Sequence, residues 1–134
     1  MIYIKEIHDY ITVILPIIIF IIVKNKVIFS KLYILTMFIV HIIKYLCKCK
    51  RPDYDLYKET DSFPSGHTAS IYFVTIYYIY LYKLTIFSYI LLLLSVLIVY
   101  LRIYYNRHSI YDILGSIIIC HIILYLYKHN LIIN

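Results

Sequence analysis

Pro64-Ser65-Gly66-His67 closes the most polar loop of the chain and opens a long apolar run. A glycine lets backbone N–H groups approach a ligand closely. A helix beginning at Ser65 or Gly66 would aim its unpaired N–H groups and the positive end of its dipole into that loop, a geometry that suits an anion. His67 adds a side chain that gives or takes a proton near neutral pH, so four residues combine anion binding with acid catalysis. An ordinary turn capped by Ser65 is the plainer alternative. His108 and Asp112 stand four apart, which on a helix sets the carboxylate beside the imidazole, where it fixes the tautomer and stabilises the cation formed on reaction, as an orienter does for a nucleophile. Arg102, six residues before His108, offers a planar fork of donors to phosphate oxygens. Arg51 follows Lys44 by seven residues, so a helix continuing that far would present both cations on one face as a phosphate clamp. Taken singly, Lys44 could merely snorkel, Arg51 anchor an interface, and Asp112 pair structurally with Arg102 or Arg107.

The elements that must position these groups are apolar. Across 134 residues, 63% are hydrophobic, with a mean hydropathy of +0.85, a composition of an integral membrane protein sized for one domain, 1–134. Closely spaced apolar runs with short charged connectors predict helices rather than outer-membrane strands, which would alternate polar and apolar residues. The fold expected is therefore all-α, a polytopic transmembrane bundle of about five spans. The net charge of +6 is scattered among these segments and forms no polar face, so nucleic acid is not expected as a partner. Cys47, Cys49 and Cys120 make an odd, sparse set without the further ligands of a structural zinc site; no metal and no cofactor is expected.

The runs read as Tyr10 to Val23, a retained span kinked at Pro16; Leu32 to Leu46, stopped by Pro52; Thr68 to Tyr82; Leu84 to Leu101; and a fifth, opened by His108 to Asp112 and continuing to Tyr127. Lys24, Asn25, Lys26 and Lys31 form the first connector, and Asp53, Asp55, Lys58, Glu59 and Asp61 give the second loop its mixed charge. Five spans put Lys24, Lys26, Lys31, Lys83 and Lys128 on one side, which the positive-inside rule makes cytoplasmic. Lys44, Arg51, His67, Arg102, His108 and Asp112 all fall at the other end, so an active site is expected at one membrane face. Several spans hold only about 14 to 18 apolar residues, a length that suits a thin bilayer such as the endoplasmic reticulum.

Three motifs together resemble those of the type 2 phosphatidic acid phosphatases, or lipid phosphate phosphatases. They are Lys44, six residues, Arg51-Pro52; then Pro64-Ser65-Gly66-His67; then Arg102, five residues, His108, three residues, Asp112. They span residues 44–112, about half the chain. Where the family has Ser before the third motif's Arg this chain has Leu101; its loop from Asp53 to Phe63 is short; and it shows five spans where many members have six, so homo-oligomerisation could complete the bundle. The resemblance implies phosphate-ester hydrolysis through a phosphohistidine without metal. His108 would be the nucleophile, Asp112 its orienter and His67 the acid. Lys44, Arg51, Ser65, Gly66 and Arg102 would hold the phosphate. The substrate would be a lipid phosphate in an endoplasmic reticulum or plasma membrane, its headgroup on the luminal or external face; phosphatidic acid and polyprenyl diphosphate are both candidates. The rival expectations are a degenerate, non-catalytic scaffold and a transporter with a relay of His41, Lys44 and His121.

Overall fold

The computed structural model describes residues 2–52 and 61–133, with side chains from residue 9 onward. Among the described residues there are five helices: α1 (Ile2–Ile22), α2 (Lys26–Cys47), α3 (Gly66–Tyr82), α4 (Ile86–Tyr104) and α5 (Ile110–Lys128). No strand occurs among the described residues, and the expected all-α bundle is the fold. Asp53, Asp55, Lys58 and Glu59 of the charged loop lie outside the described residues.

Caps account for where the boundaries differ from the hydropathy reading. The Asn25 side chain accepts the Ile28 N–H at 3.1 Å, so α2 begins at Lys26 and the connector lysine Lys31 stands within the helix. α1 runs through Pro16 to Ile22. At the far end of α2, Lys48 adopts a left-handed conformation (φ 48°) and its N–H bonds to the Lys44 carbonyl at 3.2 Å. That closure ends the helix at Cys47, so Lys44 and Arg51 do not share a helical face. The chain turns before Pro52 could stop it.

α3 is the hub, packing against α1, α2, α4 and α5. Its first turns carry Gly66, Thr68, Ala69 and Ser70, small residues that let neighbouring backbones come close. Hydroxyls then tie it outward. Ser70 Oγ donates to the Thr12 carbonyl at 2.9 Å and lies 2.8 Å from Tyr33 Oη, Thr75 Oγ1 lies 2.8 Å from Ser95 Oγ, and Tyr72 Oη lies 2.8 Å from His121 Nε2. His121, read from the sequence as part of a relay, is thus engaged across the α3–α5 contact, while His41 Nδ1 sits 2.7 Å from the carbonyl of Met37 one turn back. Further along, Phe73 and Tyr77 stack at 5.8 Å between centroids, with Phe29 5.3 Å from Tyr77.

Outward-facing Val13, Ile34, Leu93, Val96 and Ile118 are largely exposed, an apolar exterior suited to lipid. α2, α4 and α5 are each long and apolar enough to cross a membrane; the apolar part of α1, Asp9–Ile22, and the 17-residue α3 are shorter. The chain is a membrane protein. At 1.5 Å per residue α3 reaches about 26 Å, short of a hydrocarbon core of about 30 Å. The central helix is therefore the one most in need of its neighbours. Because the helices alternate in direction, α1, α3 and α5 start where α2 and α4 finish, and that end gathers the motif residues.

Candidate active site

The start of α3 is bound to the start of α5. Ser65 is the N-cap of α3, its buried side chain accepting the Thr68 N–H at 3.4 Å. Its own N–H donates to the Asp112 carbonyl at 3.2 Å, and the Ser116 hydroxyl lies 2.9 Å from the Ser65 carbonyl and 2.8 Å from that of Asp112. The helix expected to open at Ser65 or Gly66 begins at Gly66 with Ser65 as its N-cap, and the cap is also the stitch between the second and third motifs. At Gly66 an added Cβ would meet nothing within 4 Å, so open space lies over the first turn of α3. Gly115 is the opposite case, since a Cβ there would overlap the ring of Phe63, the residue before Pro64. Gly115→Ala must push that ring aside and is expected to cost about 1–3 kcal/mol of stability. The midpoint of a thermal melt in detergent, followed by circular dichroism, checks this; an unchanged midpoint would mean the ring has room to move.

His108 is not on the helix, as the four-residue spacing suggested. α4 ends at Tyr104, Asn106 turns the chain with φ 50°, and the N–H groups of Arg107 and His108 donate to the Arg102 carbonyl at 3.0 and 3.3 Å. Ser109 then caps α5. Its hydroxyl accepts the Asp112 N–H at 3.3 Å, while Asp112 Oδ2 accepts the Ser109 N–H at 2.7 Å, a reciprocal capping box. The box, rather than a shared helix face, turns the Asp112 carboxylate back toward His108, whose Nδ1 lies 3.6 Å from Oδ2. That is an ion-pair distance and too long for a hydrogen bond. The same oxygen accepts the Ser62 hydroxyl, and Ser62 N–H donates to the Cys49 carbonyl at 2.7 Å across the base of the loop. Burial pushes the His108 imidazole below its ordinary value of 6.5; Asp112 opposes the shift, and the positive charges of Arg102 and Arg51 add to it.

Asp112 does not pair with Arg102 or Arg107 as the structural alternative supposed. Both arginines go to Asp9, two turns into α1, where its apolar part begins. Arg102 Nη2 donates to Asp9 Oδ1 at 2.8 Å and Arg107 Nη1 to Oδ2 at 3.2 Å, while His67 Nε2 lies 3.0 Å from the same Oδ1. Arg102 is 1% exposed, Asp9 35% and His67 38%. Arg51, although off the α2 helix, stands close enough for its charge to act on His108. Lys44 enters from α2 by a groove of about 430 Å³ between α1, α2 and α3, whose lining includes Thr12, Val13, Met37, Gly66 and His67.

Lys44, Arg51, Ser65, Gly66, His67, Arg102, His108 and Asp112 are thus gathered at one end of the bundle, as the two-sided topology predicted. Asp9 and Ser62 join the site from outside the three motifs. Asp9 had a signal, since alternating spans place the start of α1 at the same end as His67. Ser62 had none, because its use depends on how the loop closes. Among the described residues no group of three or more His, Cys, Asp or Glu side chains is placed to hold a metal ion.

No curated protein and no solved structure matches the chain. A family model, that of the PAP2 superfamily, matches residues 25–131 and so takes in α2 to α5 with all three motifs. A match over that much of the sequence means that the chain belongs to the PAP2 superfamily, whose members are in general phosphatases acting on phosphate esters.

Proposed function

We propose that the protein is an integral membrane lipid phosphate phosphatase that hydrolyses a phosphomonoester through a phosphohistidine. The observation that carries this reading is the meeting of Arg102 and His67, from different motifs and different helices, on one anionic oxygen, Asp9 Oδ1. A phosphate oxygen makes the same demand on its donors. With Nδ1 turned toward Asp112, His108 keeps Nε2 for attack. That nitrogen bonds to phosphorus as the ester P–O bond breaks, and His67 gives its proton to the departing lipid oxygen. Arg102, Arg51, Lys44 and the N–H groups at the start of α3 take up the charge on the transferring group. Water then cleaves the P–N bond, its proton returns to His67, and inorganic phosphate leaves.

The apolar lining of the groove beside Lys44 and His67 supports an amphiphile over a water-soluble ester. Lysines at the opposite end of the bundle support a luminal or external site. The test is phosphate release from phosphatidic acid, glycerol phosphate and a polyprenyl diphosphate in detergent micelles with excess chelator. Faster release from phosphatidic acid than from glycerol phosphate is expected, while preference for the diphosphate would move the substrate class. No release from any of them by folded protein would leave the scaffold reading.

The low pKa of His108 fixes the sign of one limb of the pH profile. Attack needs the neutral imidazole, and a pKa below 6.5 means that the neutral form already predominates at pH 6.5. Activity is expected to fall with acidification only through a midpoint below 6.5. Because a phosphate monoester itself ionises near 6, the His108 resonance, assigned by its loss in His108→Ala, should be titrated directly by NMR. A midpoint at or above 6.5 would show that burial does not hold the ring neutral.

A further inference from the structure

Asp9 has no part in the mechanism above, and it lies before the residues that the superfamily match covers. Its carboxylate nevertheless meets three cationic or donor side chains from two motifs. Oδ1 faces Arg102 Nη2 at 2.8 Å and His67 Nε2 at 3.0 Å, and Oδ2 faces Arg107 Nη1 at 3.2 Å. Each N–H points at one acceptor at a time, so a phosphate that uses these donors cannot share them with this carboxylate. We propose that Asp9 is a built-in competitor for the phosphate subsite, which an incoming anion must displace, and that this competition makes the site select doubly charged phosphate over singly charged anions. The proposal rests on the reading of Arg102 and His67 as phosphate donors.

Three observations lead there. A guanidinium that is 1% exposed is costly to bury alone, so the ligand-free site needs a resident anion, and Asp9 supplies one. Asp9 is itself 35% exposed, so when displaced its carboxylate can turn to water rather than become an uncompensated buried charge. Arg102 Nε is buried with no hydrogen-bond partner, a donor the two-oxygen carboxylate leaves unfilled and a phosphate with more oxygens could engage.

The selectivity follows from charge. A carboxylate on the same chain is present at high effective concentration, and a singly charged anion replaces it like for like with nothing gained. A dianion brings a second charge into the field of Lys44 on α2, Arg51 in the following loop, and Arg102 and Arg107, with Asp112 among the opposing carboxylates.

The experiment is calorimetric titration of the purified protein in detergent at pH 8 with inorganic phosphate, doubly charged there, and with dimethyl phosphate, singly charged. Wild type should bind phosphate and reject dimethyl phosphate. Asp9→Asn, which keeps the shape and removes the charge, should bind phosphate about tenfold more tightly and begin to bind dimethyl phosphate. Phosphate binding that is unchanged or weaker in folded Asp9→Asn would make the carboxylate a support for its donors and overturn the proposal. Should that variant not fold, wild type still decides, since dimethyl phosphate binding as tightly as phosphate overturns it equally. Binding needs no turnover. A wild type that releases phosphate from no lipid would end the phosphatase reading, while the titration would still report on Asp9.

Discussion

His108→Ala is expected to lower phosphate release by about 10⁴-fold or more, the scale on which loss of a nucleophile acts in covalent mechanisms. The effect should come from chemistry rather than folding. The loop that carries His108 is held by main-chain bonds from the Arg107 and His108 N–H groups to the Arg102 carbonyl, and His108 Nδ1 has no hydrogen bond to lose. Asp112 would keep its Ser62 and Ser109 partners in the variant. His67→Ala should cost less, about 10²- to 10⁴-fold, because it removes proton transfer to the leaving group and leaves the attacking nitrogen in place. Rapid quenching with phosphorus-labelled substrate adds a direct readout: an alkali-stable, acid-labile label on wild type that His108→Ala does not acquire. Activity in His108→Ala within tenfold of wild type would remove the phosphohistidine from the mechanism whatever the substrate proves to be.

The fold was legible because the bilayer imposes so few solutions. Apolar runs broken by Lys24, Lys83 and the polar loop could only be helices, and their alternation alone put Lys44, His67, Arg102 and Asp112 at one end. Local backbone choices were not legible. Nothing in Cys47-Lys48-Cys49 announces that Lys48 will adopt a left-handed conformation, so the shared helical face of Lys44 and Arg51 was lost where hydropathy still allowed it. The contact between His108 and Asp112 was foreseen on the wrong grounds. Ser109 turns the spacing into a capping box, and Ser followed three residues later by an acid is a signal that was there to be read. The central role of α3 is harder to find, because a helix surrounded by partners has no polar stripe to orient it; small residues in its first turns are the one clue. Asp9 went unnoticed because its partners are 58 to 98 residues away in sequence and belong to motifs that look complete without it.

Asp112→Asn separates the two tasks of that carboxylate. Oδ2 faces three groups, the Ser62 hydroxyl, the Ser109 N–H and, at ion-pair distance, His108 Nδ1. An asparagine whose amide oxygen takes the place of Oδ2 still accepts from Ser62 and Ser109, so the loop and the α5 cap should hold. What it lacks is the negative charge opposite the imidazole, which becomes positive as phosphorus is attacked, and the preference for the tautomer that leaves Nε2 free. Loss of such an orienting charge is worth up to about 10⁴-fold in the turnover rate with the geometry intact, and a fall of about 10²- to 10⁴-fold is expected here. Asp112→Ala should be as inactive and also less stable. It removes the acceptor of two hydrogen bonds at a buried site, leaving the Ser62 hydroxyl and the Ser109 N–H to find other partners at about 1–3 kcal/mol for each group that does not. The comparison is therefore a rate and a melting midpoint for each variant. Equal rates with a lower midpoint for the alanine would assign the charge to catalysis and the hydrogen bonds to the fold. An asparagine variant that keeps nearly full activity would mean that His108 is oriented by its burial and backbone alone, and that Asp112 serves chiefly to join the loop to the start of α5.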